Sequence, residues 1–433
     1  MITLEGIFSR ENLYRAMIKV IANNGAPGID GLRCCDIKQW FYDHPNKLTS
    51  EIMNGTYRPL PIKRVYIPKE NGEMRPLGIP SAIDRIVQQA IAQALSEEYD
   101  KTFSENSYGF RPARGAHDAV KAVTDYLNDG YTYVVDLDLA KFFDTVSHGK
   151  MLQLLSERIQ DGRVISLINR ILTTKIVDKD EVIKPKCGLT QGAPCSPILA
   201  NILLDLLDKE LERRGHKFAR YADDMIILCK SAKSAERTFE SIRKFIEKKL
   251  LLKINYDKTK VQHISPEIKF LGFGFYKTKQ GNSNQGKYRP IVHKKSERRL
   301  MDTLRNNYLK RNRSVSIPKT SNILNLYLMG WTHYFALGIT KTNMQRIDKW
   351  IRHKIRAIYI KAWKRNPTIN REFRRLGTAS KGTCYIIANS SLGIWAKSLF
   401  ANRIITNKVI HEEWKWPSIQ GIFTTKAWKC LGY

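Results

Sequence analysis

The 433 residues exceed what one ordinary core organises, so two or three domains are expected. With 42% hydrophobic, 10% aromatic and 26% charged residues the composition is globular, which excludes a disordered or collagen-like chain. The 73 Lys and Arg outnumber the 41 Asp and Glu by 32, a surplus that repels itself unless an anionic partner, most simply nucleic acid, screens it.

In chain order, the opening MITLEGIFSRENLYR lacks the basic-then-apolar layout of a secretory leader. Residues 81–99 set Ile83, Val87, Ala90, Ile91, Ala94 and Leu95 at helical spacing, with Ser81 as N-cap and Asp84 in the first turn. A second helix is predicted over 116–127. The period then changes: 132–138 (TYVVDLD) is short and β-rich, with Val134, Asp136 and Asp138 on one face. Helices are predicted over 149–159 and 197–214. The apolar run 198–207 in the latter is interrupted by Asn201 and Asp205, so no membrane span fits. Residues 218–229 (FARYADDMIILC) form two apolar arms joined at Ala222-Asp223-Asp224, a hairpin with acids at its tip. A helix over 235–250 precedes strand-like 253–255 and 268–276. Residues 281–286 (GNSNQG) read as a turn or linker and a domain edge. Beyond it, 323–335 and 342–363 are amphipathic, basic helices. Without βαβ regularity, the fold class is α+β, with an α-helical appendage.

Charge and tryptophan are unevenly distributed. Residues 287–433 hold 30 Lys and Arg against 6 Asp and Glu, a net of +24, whereas residues 1–286 hold 43 against 35. Seven of the eight tryptophans (Trp331, Trp350, Trp363, Trp395, Trp414, Trp416 and Trp428) fall in that last third. Basic side chains neutralise phosphates, and flat aromatics stack on exposed bases or fill a small core. The segment reads as a nucleic-acid-holding module on a body nearly balanced in charge. Seven cysteines, an odd number without CxxC spacing, argue against a disulfide framework and structural zinc and for a reducing compartment.

Asp136, Asp138, Asp223 and Asp224 lie on or beside apolar β-like segments, where carboxylates cost free energy unless a cation or partner compensates them. Asp138 and Asp223 are 85 residues apart, but neighbouring strands of one sheet can bring such positions together. Converging carboxylates suit a pair of Mg²⁺ ions, which would lower the pKa of an attacking 3′-hydroxyl and neutralise departing pyrophosphate. From spacing alone, a solvated turn is the other reading of Asp223-Asp224.

Tyr221-Ala-Asp-Asp224 matches the Tyr-x-Asp-Asp motif of reverse transcriptases. Arg75-Pro-Leu-Gly-Ile-Pro80, Ser107-Tyr-Gly-Phe-Arg-Pro112, Val135-Asp-Leu-Asp-Leu-Ala-Lys-Phe-Phe-Asp144 and Asn24-Gly-Ala-Pro-Gly-Ile-Asp-Gly31 resemble motifs of the enzymes encoded by bacterial group II introns, in the same order. Gly330-Trp-Thr-His-Tyr-Phe335 and the helix with Trp350 and Trp363 resemble their maturase domain, or thumb. The resemblance implies a right-hand polymerase, with fingers and an antiparallel-sheet palm, followed by an α-helical thumb. It divides the chain into an N-terminal extension (1–60), fingers and palm (61–286), thumb (287–370) and a basic nucleic-acid-contacting tail (371–433).

The same resemblance implies residue roles. The first metal acid stands five positions before an aromatic under the incoming sugar, which selects Asp138 and Phe143 and leaves Asp136 as a structural acid. Leu139 would lend its carbonyl to a metal, Asp223 would bind both Mg²⁺ ions (Mn²⁺ able to substitute), and Asp224 would support them. Phe143 would act as a steric gate against a 2′-hydroxyl. Lys69 and Arg75 would clamp the triphosphate, and Gln191 would contact the nucleotide. Ser196 and Pro197 would sit by the template, and Leu271 and Gly272 by the primer. Thr190 stands where the family usually has proline, which frees one φ and restores an N–H in that loop. The chain resembles the compact class of these proteins, so the His-Asn-His endonuclease of many relatives is not expected here. The implied partners are intron RNA or another RNA template, a DNA primer or target and deoxynucleotides, with no membrane. The implied setting is the bacterial cytoplasm, at the nucleoid when acting on DNA. A free-standing enzyme of DNA repair or phage defence, and an RNA-binding splicing factor with a vestigial polymerase, remain alternatives.

Overall fold

Ser81 accepts the Asp84 amide at 3.1 Å and starts the helix Ala82–Tyr99, which is buried on most of its faces. The helix Arg10–Asn23 docks on it through buried Asn12, whose amide donates to the carbonyls of Ile7 (2.7 Å) and Ala90 (3.0 Å). Polar groups paired in this way fix register inside an apolar contact. The computed structural model describes residues 2–68, 72–278, 286–310, 316–389 and 399–425. It separates into two compact units, Met1–Ile264 and Ser265–Tyr433.

The first unit holds two four-stranded sheets. Its strands are β1 (Ile62–Pro68), β2 (Met74–Ile79), β3 (Tyr133–Leu137), β4 (Ile176–Asp178), β5 (Glu181–Ile183), β6 (Lys217–Tyr221), β7 (Asp224–Cys229) and β8 (Lys260–His263). One sheet has the order β2-β1-β4-β5, with β1 and β4 parallel. The other has the order β6-β7-β3-β8 and is antiparallel throughout. Val135, Leu137, Met225 and Ile227 of the second sheet join a core with the helices Ala82–Tyr99, Ser196–Arg213 and Ala232–Lys248. The N-terminal helices share that core through Leu4, Ile7, Ala16 and Val20.

The second unit pairs β9 (Phe273–Lys277) with β10 (Tyr288–Val292) and adds helices that include Ile317–Tyr334 and Lys341–Trp363. The unit border falls at Ile264 and not at the composition break near Lys287, because β9 and β10 pair across that break. Of the linker expected at 281–286, residues 281–285 lie outside the described residues. The described tail folds back: Asp348 on Lys341–Trp363 accepts the Ile419 and Gln420 amides at 2.8 and 3.0 Å, and Arg356 donates to the Ile405 carbonyl at 2.8 Å. Trp414 stacks on Tyr359 at 3.7 Å, and Trp416 is buried. Trp416 therefore packs the unit's interior, and half-buried Trp414 gives one face to Tyr359 instead of to a base. Among the described residues, no helix is long and apolar enough to cross a membrane, and the cysteines are free.

Candidate active site

Strand β3 ends one residue before Asp138, and its neighbour β7 begins at Asp224. The register pairs Leu137 with Met225, so the acids follow at the same end of both strands. Tyr221 pairs with Asp224 across the β6–β7 hairpin, leaving Ala222 and Asp223 as a two-residue turn. Ala222 has φ +58, a left-handed state that costs a residue with a β-carbon about 1–2 kcal/mol. Gly109 packs under the turn, where a β-carbon would stand 2.4 Å from the Ala222 nitrogen. Tyr108 and Arg220 complete the seam: the Tyr108 amide donates to the Arg220 carbonyl, and the Arg220 amide to that of Asn106, both at 2.9 Å.

Asp223 reaches solvent at the tip of the turn. Desolvation by the surrounding protein pushes its carboxyl above the usual range, and the Asp138 charge adds to this, while Arg75 and Arg220 pull it down. Asp136 is half-buried and is pushed up to about 6, by burial first and the Asp138 charge second, with Lys260 opposing. Asp138 has Lys258 Nζ at 3.7 Å, and its own amide donates to Thr259 at 3.2 Å. Asp138 is therefore felt at both neighbouring acids.

Leu139 bridges Ile254 through its neighbours: Asn255 donates to the Asp138 carbonyl (2.9 Å) and Ala140 to that of Lys253 (2.8 Å). By antiparallel alternation, the N–H and C=O of Leu139 point to the other side of the strand, the β7 side. Among the described residues no three His, Cys, Asp or Glu side chains form a ready metal cage. Mg²⁺ does not require one, since it takes one or two carboxylates and completes its shell with water and substrate phosphates. Carboxylates at one end of neighbouring strands, with a backbone carbonyl turned to their side, fit that ion.

The raised acid beside them gives a direct expectation. In metal-free buffer, Asp136→Asn should stabilise the chain by about 1–2 kcal/mol near neutral pH. The folded carboxyl at about 6 holds its proton more tightly than an unfolded one, so its contribution is complete at low pH. That contribution is lost as pH rises through about 6. Urea titrations should show the variant's advantage vanishing below about pH 4. An advantage that persists there would mean that packing, not charge, limits this position.

Arg75 on β2 donates Nε–H to Gln191 Oε1 at 2.7 Å, and the Gly78 amide donates to the Gln191 carbonyl at 2.8 Å. Phe143 stands edge-on to Phe142 at 5.3 Å. With Gln191, Pro76 and Gly188 it lines a cleft of about 430 Å³. The structure thus brings Arg75, Gln191 and Phe143 together; Lys69 lies outside the described residues. Thr190 settles over Gly78, where a β-carbon would stand 2.3 Å from its methyl. Its carbonyl accepts the Ser196 hydroxyl at 2.7 Å. Ser196 is thereby buried and engaged, whereas Pro197 lines a second cleft, of about 380 Å³, with Phe110 and Pro194. Leu271 and Gly272 belong to the second unit.

Sequence reading passed over Arg220 and Asp208, met Ser107 only as the first residue of a motif, and met Asn201 only as a break in an apolar run. The signal was available: Asn201, Asp205 and Asp208 are spaced along one helix that is otherwise apolar, and Arg220 lies in an apolar strand. Buried polar residues of this kind need partners.

Residues 67–275 match the reverse transcriptase (RNA-dependent DNA polymerase) family, and residues 297–377 the maturase-specific domain of group II introns. Protein YkfC of Escherichia coli is 34% identical over 302 residues, 60% of this chain and 79% of its own. The group II intron-encoded protein LtrA of Lactococcus lactis is 28% identical, over 61% of this chain and 55% of its own length. The putative COX1/OXI3 intron 2 protein of Saccharomyces cerevisiae is 29% identical, over 53% of this chain and 33% of its own. Among solved structures, a chain of a partial Cas6-RT-Cas1–Cas2 complex aligns over 57% of this chain and 42% of its own, at 27% identity and a TM-score of 0.37. An acid-tipped palm hairpin, a reverse transcriptase match and a maturase match in one chain lead to a single assignment: the protein belongs to the group II intron reverse transcriptase/maturase family, RNA-directed DNA polymerases.

Proposed function

We propose that this chain extends a DNA primer on an RNA template, with Asp138, Asp223 and Asp224 around the reacting 3′ end, and that it binds intron RNA to assist splicing and mobility. The observation that carries the polymerase reading is the meeting of β3 with the β6–β7 turn, which sets Asp138 within electrostatic reach of Asp223. A pair of Mg²⁺ ions, or Mn²⁺, held by these acids and the Leu139 carbonyl would supply positive charge that acidifies the primer hydroxyl and offsets charge on the leaving pyrophosphate. The protein's own part is placement. Arg75 and Gln191, already bonded to each other, would meet the triphosphate, and Lys69 would add its charge to the clamp. Phe143 lies under the sugar and narrows the space for a 2′-hydroxyl. Pro197 borders the template path, with Ser196 shaping the loop from beneath, and the Leu271–Gly272 turn holds the primer strand. The deciding test is extension of a DNA primer on RNA with deoxy- or ribonucleotides, with and without Mg²⁺. Failure to incorporate deoxynucleotides sinks the reading.

The intron-binding half rests on the maturase-domain match and on residues 287–433, with 30 Lys and Arg against 6 Asp and Glu. If many of those cations meet phosphates, affinity for intron RNA should fall about 10³-fold or more between about 50 and 200 mM salt. Filter binding across that range reads the slope, and a flat response would remove the basic third as the RNA grip.

A further inference from the structure

Directly beneath the acid turn lies a buried side-chain cluster. The Arg220 guanidinium is 1% exposed and its partner Asp208 is 0% exposed. Arg220 donates Nε–H to Asp208 at 2.8 Å and one Nη2–H to the same carboxylate at 2.5 Å. Its Nη1 donates to Asn201 Oδ1 at 2.9 Å and to the Ala222 carbonyl at 3.0 Å, and its Nη2 to Ser107 Oγ at 2.7 Å. Asn201 in turn donates to the Gly109 carbonyl at 2.8 Å. The guanidinium fork, with Asn201, therefore ties three segments: the helix Ser196–Arg213, the 107–109 loop and the left-handed residue of the turn itself.

A buried ion pair is a poor way to gain stability, since well-packed apolar residues of similar volume often match or exceed it. Its value lies in geometry. Ala222 occupies a backbone state that an L-residue leaves unless its surroundings over-determine it. Arg220 grips its carbonyl, and Gly109, fixed by Asn201, presses on its amide. Asp223 is the next residue. Leaning on the polymerase reading above, we infer that Arg220, with Asp208 and Asn201, is a positioning residue that holds the Ala222–Asp223 turn in its metal-receiving shape.

The test separates position from stability in the full-length chain. Arg220→Met combined with Asp208→Leu replaces the ion pair by an apolar pair; Arg220→Lys keeps the charge but loses the fork. Both should melt within a few degrees of the parent, with kcat for primer extension reduced about 10- to 100-fold, as small misplacements of reacting groups do. KM for the deoxynucleotide should stay within about twofold, because Arg75, Gln191 and Phe143 are untouched. Mn²⁺ affinity, read by electron paramagnetic resonance with a chain-terminated primer on RNA and the next deoxynucleotide, should fall by a comparable factor. Parental kcat and Mn²⁺ affinity in the variants would overturn the inference, as would a kcat loss that tracks a lowered Tm and disappears on cooling. If the apolar pair does not fold, Arg220→Lys decides by the same readouts. Should the parent bind Mn²⁺ yet make no DNA, the polymerase reading fails while this inference is still decided by the Mn²⁺ measurement.

Discussion

An Asp223→Ala, Asp224→Ala chain should extend a DNA primer on RNA at least about 10³-fold more slowly than the parent, since losing charge stabilisation worth several kcal/mol costs a factor of ten per 1.4 kcal/mol. Fold should survive the change. Asp223 reaches solvent at the hairpin tip, and Gly109 and Arg220 hold the turn at Ala222. Removing an acid that the surrounding protein desolvates also relieves a cost. Tm should therefore remain at or above the parental value while extension disappears. Intron splicing under low Mg²⁺ should persist in the same variant, because the proposed RNA grip lies in residues 287–433. Undiminished extension would remove the acids from the chemistry, and lost splicing with intact RNA binding would join the two functions that we propose to be separate.

Phe143→Ala should relax discrimination between deoxy- and ribonucleotides by about 10- to 100-fold, the scale on which filling or emptying an apolar contact acts. The backbone at this position is fixed independently of the ring: the Phe143 carbonyl accepts the Leu189 amide at 2.6 Å, and Gly188, at φ +98, lies close against it. Truncation therefore opens space in the cleft shared with Gln191 without releasing the loop. The ratio of kcat/KM for a deoxynucleotide to that for its ribonucleotide measures the effect. A collapsed ratio with kcat for the deoxynucleotide largely kept identifies a gate; an unchanged ratio means that the ring only packs.

Periodicity and capping made the main elements legible. The helix expected over 81–99 runs Ala82–Tyr99 with Ser81 as its cap, and the strand over 132–138 runs Tyr133–Leu137. The FARYADDMIILC hairpin turns at Ala222-Asp223, where its two apolar arms meet. Three features were not legible, each because it depends on partners distant in sequence. The parallel pairing of β1 with β4 joins Ile62 to Ile176, and nothing local to either strand announces it. The unit border at Ile264 is hidden because composition shifts only near Lys287, in the middle of the β9–β10 pair. The guanidinium fork of Arg220 needs Ser107, Asn201 and Asp208 at once, a coincidence that only the folded chain displays.

The Leu271–Gly272 turn has its own anchorage. Leu271 at φ +50 and Gly272 at φ +85 form a tight corner; the Tyr334 hydroxyl donates to the Leu271 carbonyl at 2.9 Å, and Ser296 donates to that of Gly272 at 2.9 Å. A β-carbon on Gly272 would meet the Phe335 ring at 3.2 Å, so the corner is seated on the end of the helix Ile317–Tyr334. Although its sequence adjoins the strands of the first unit, the corner is mechanically cargo of the helical one. Any displacement of the helix Ile317–Tyr334 must therefore carry the corner with it, like a pawl fixed to its lever.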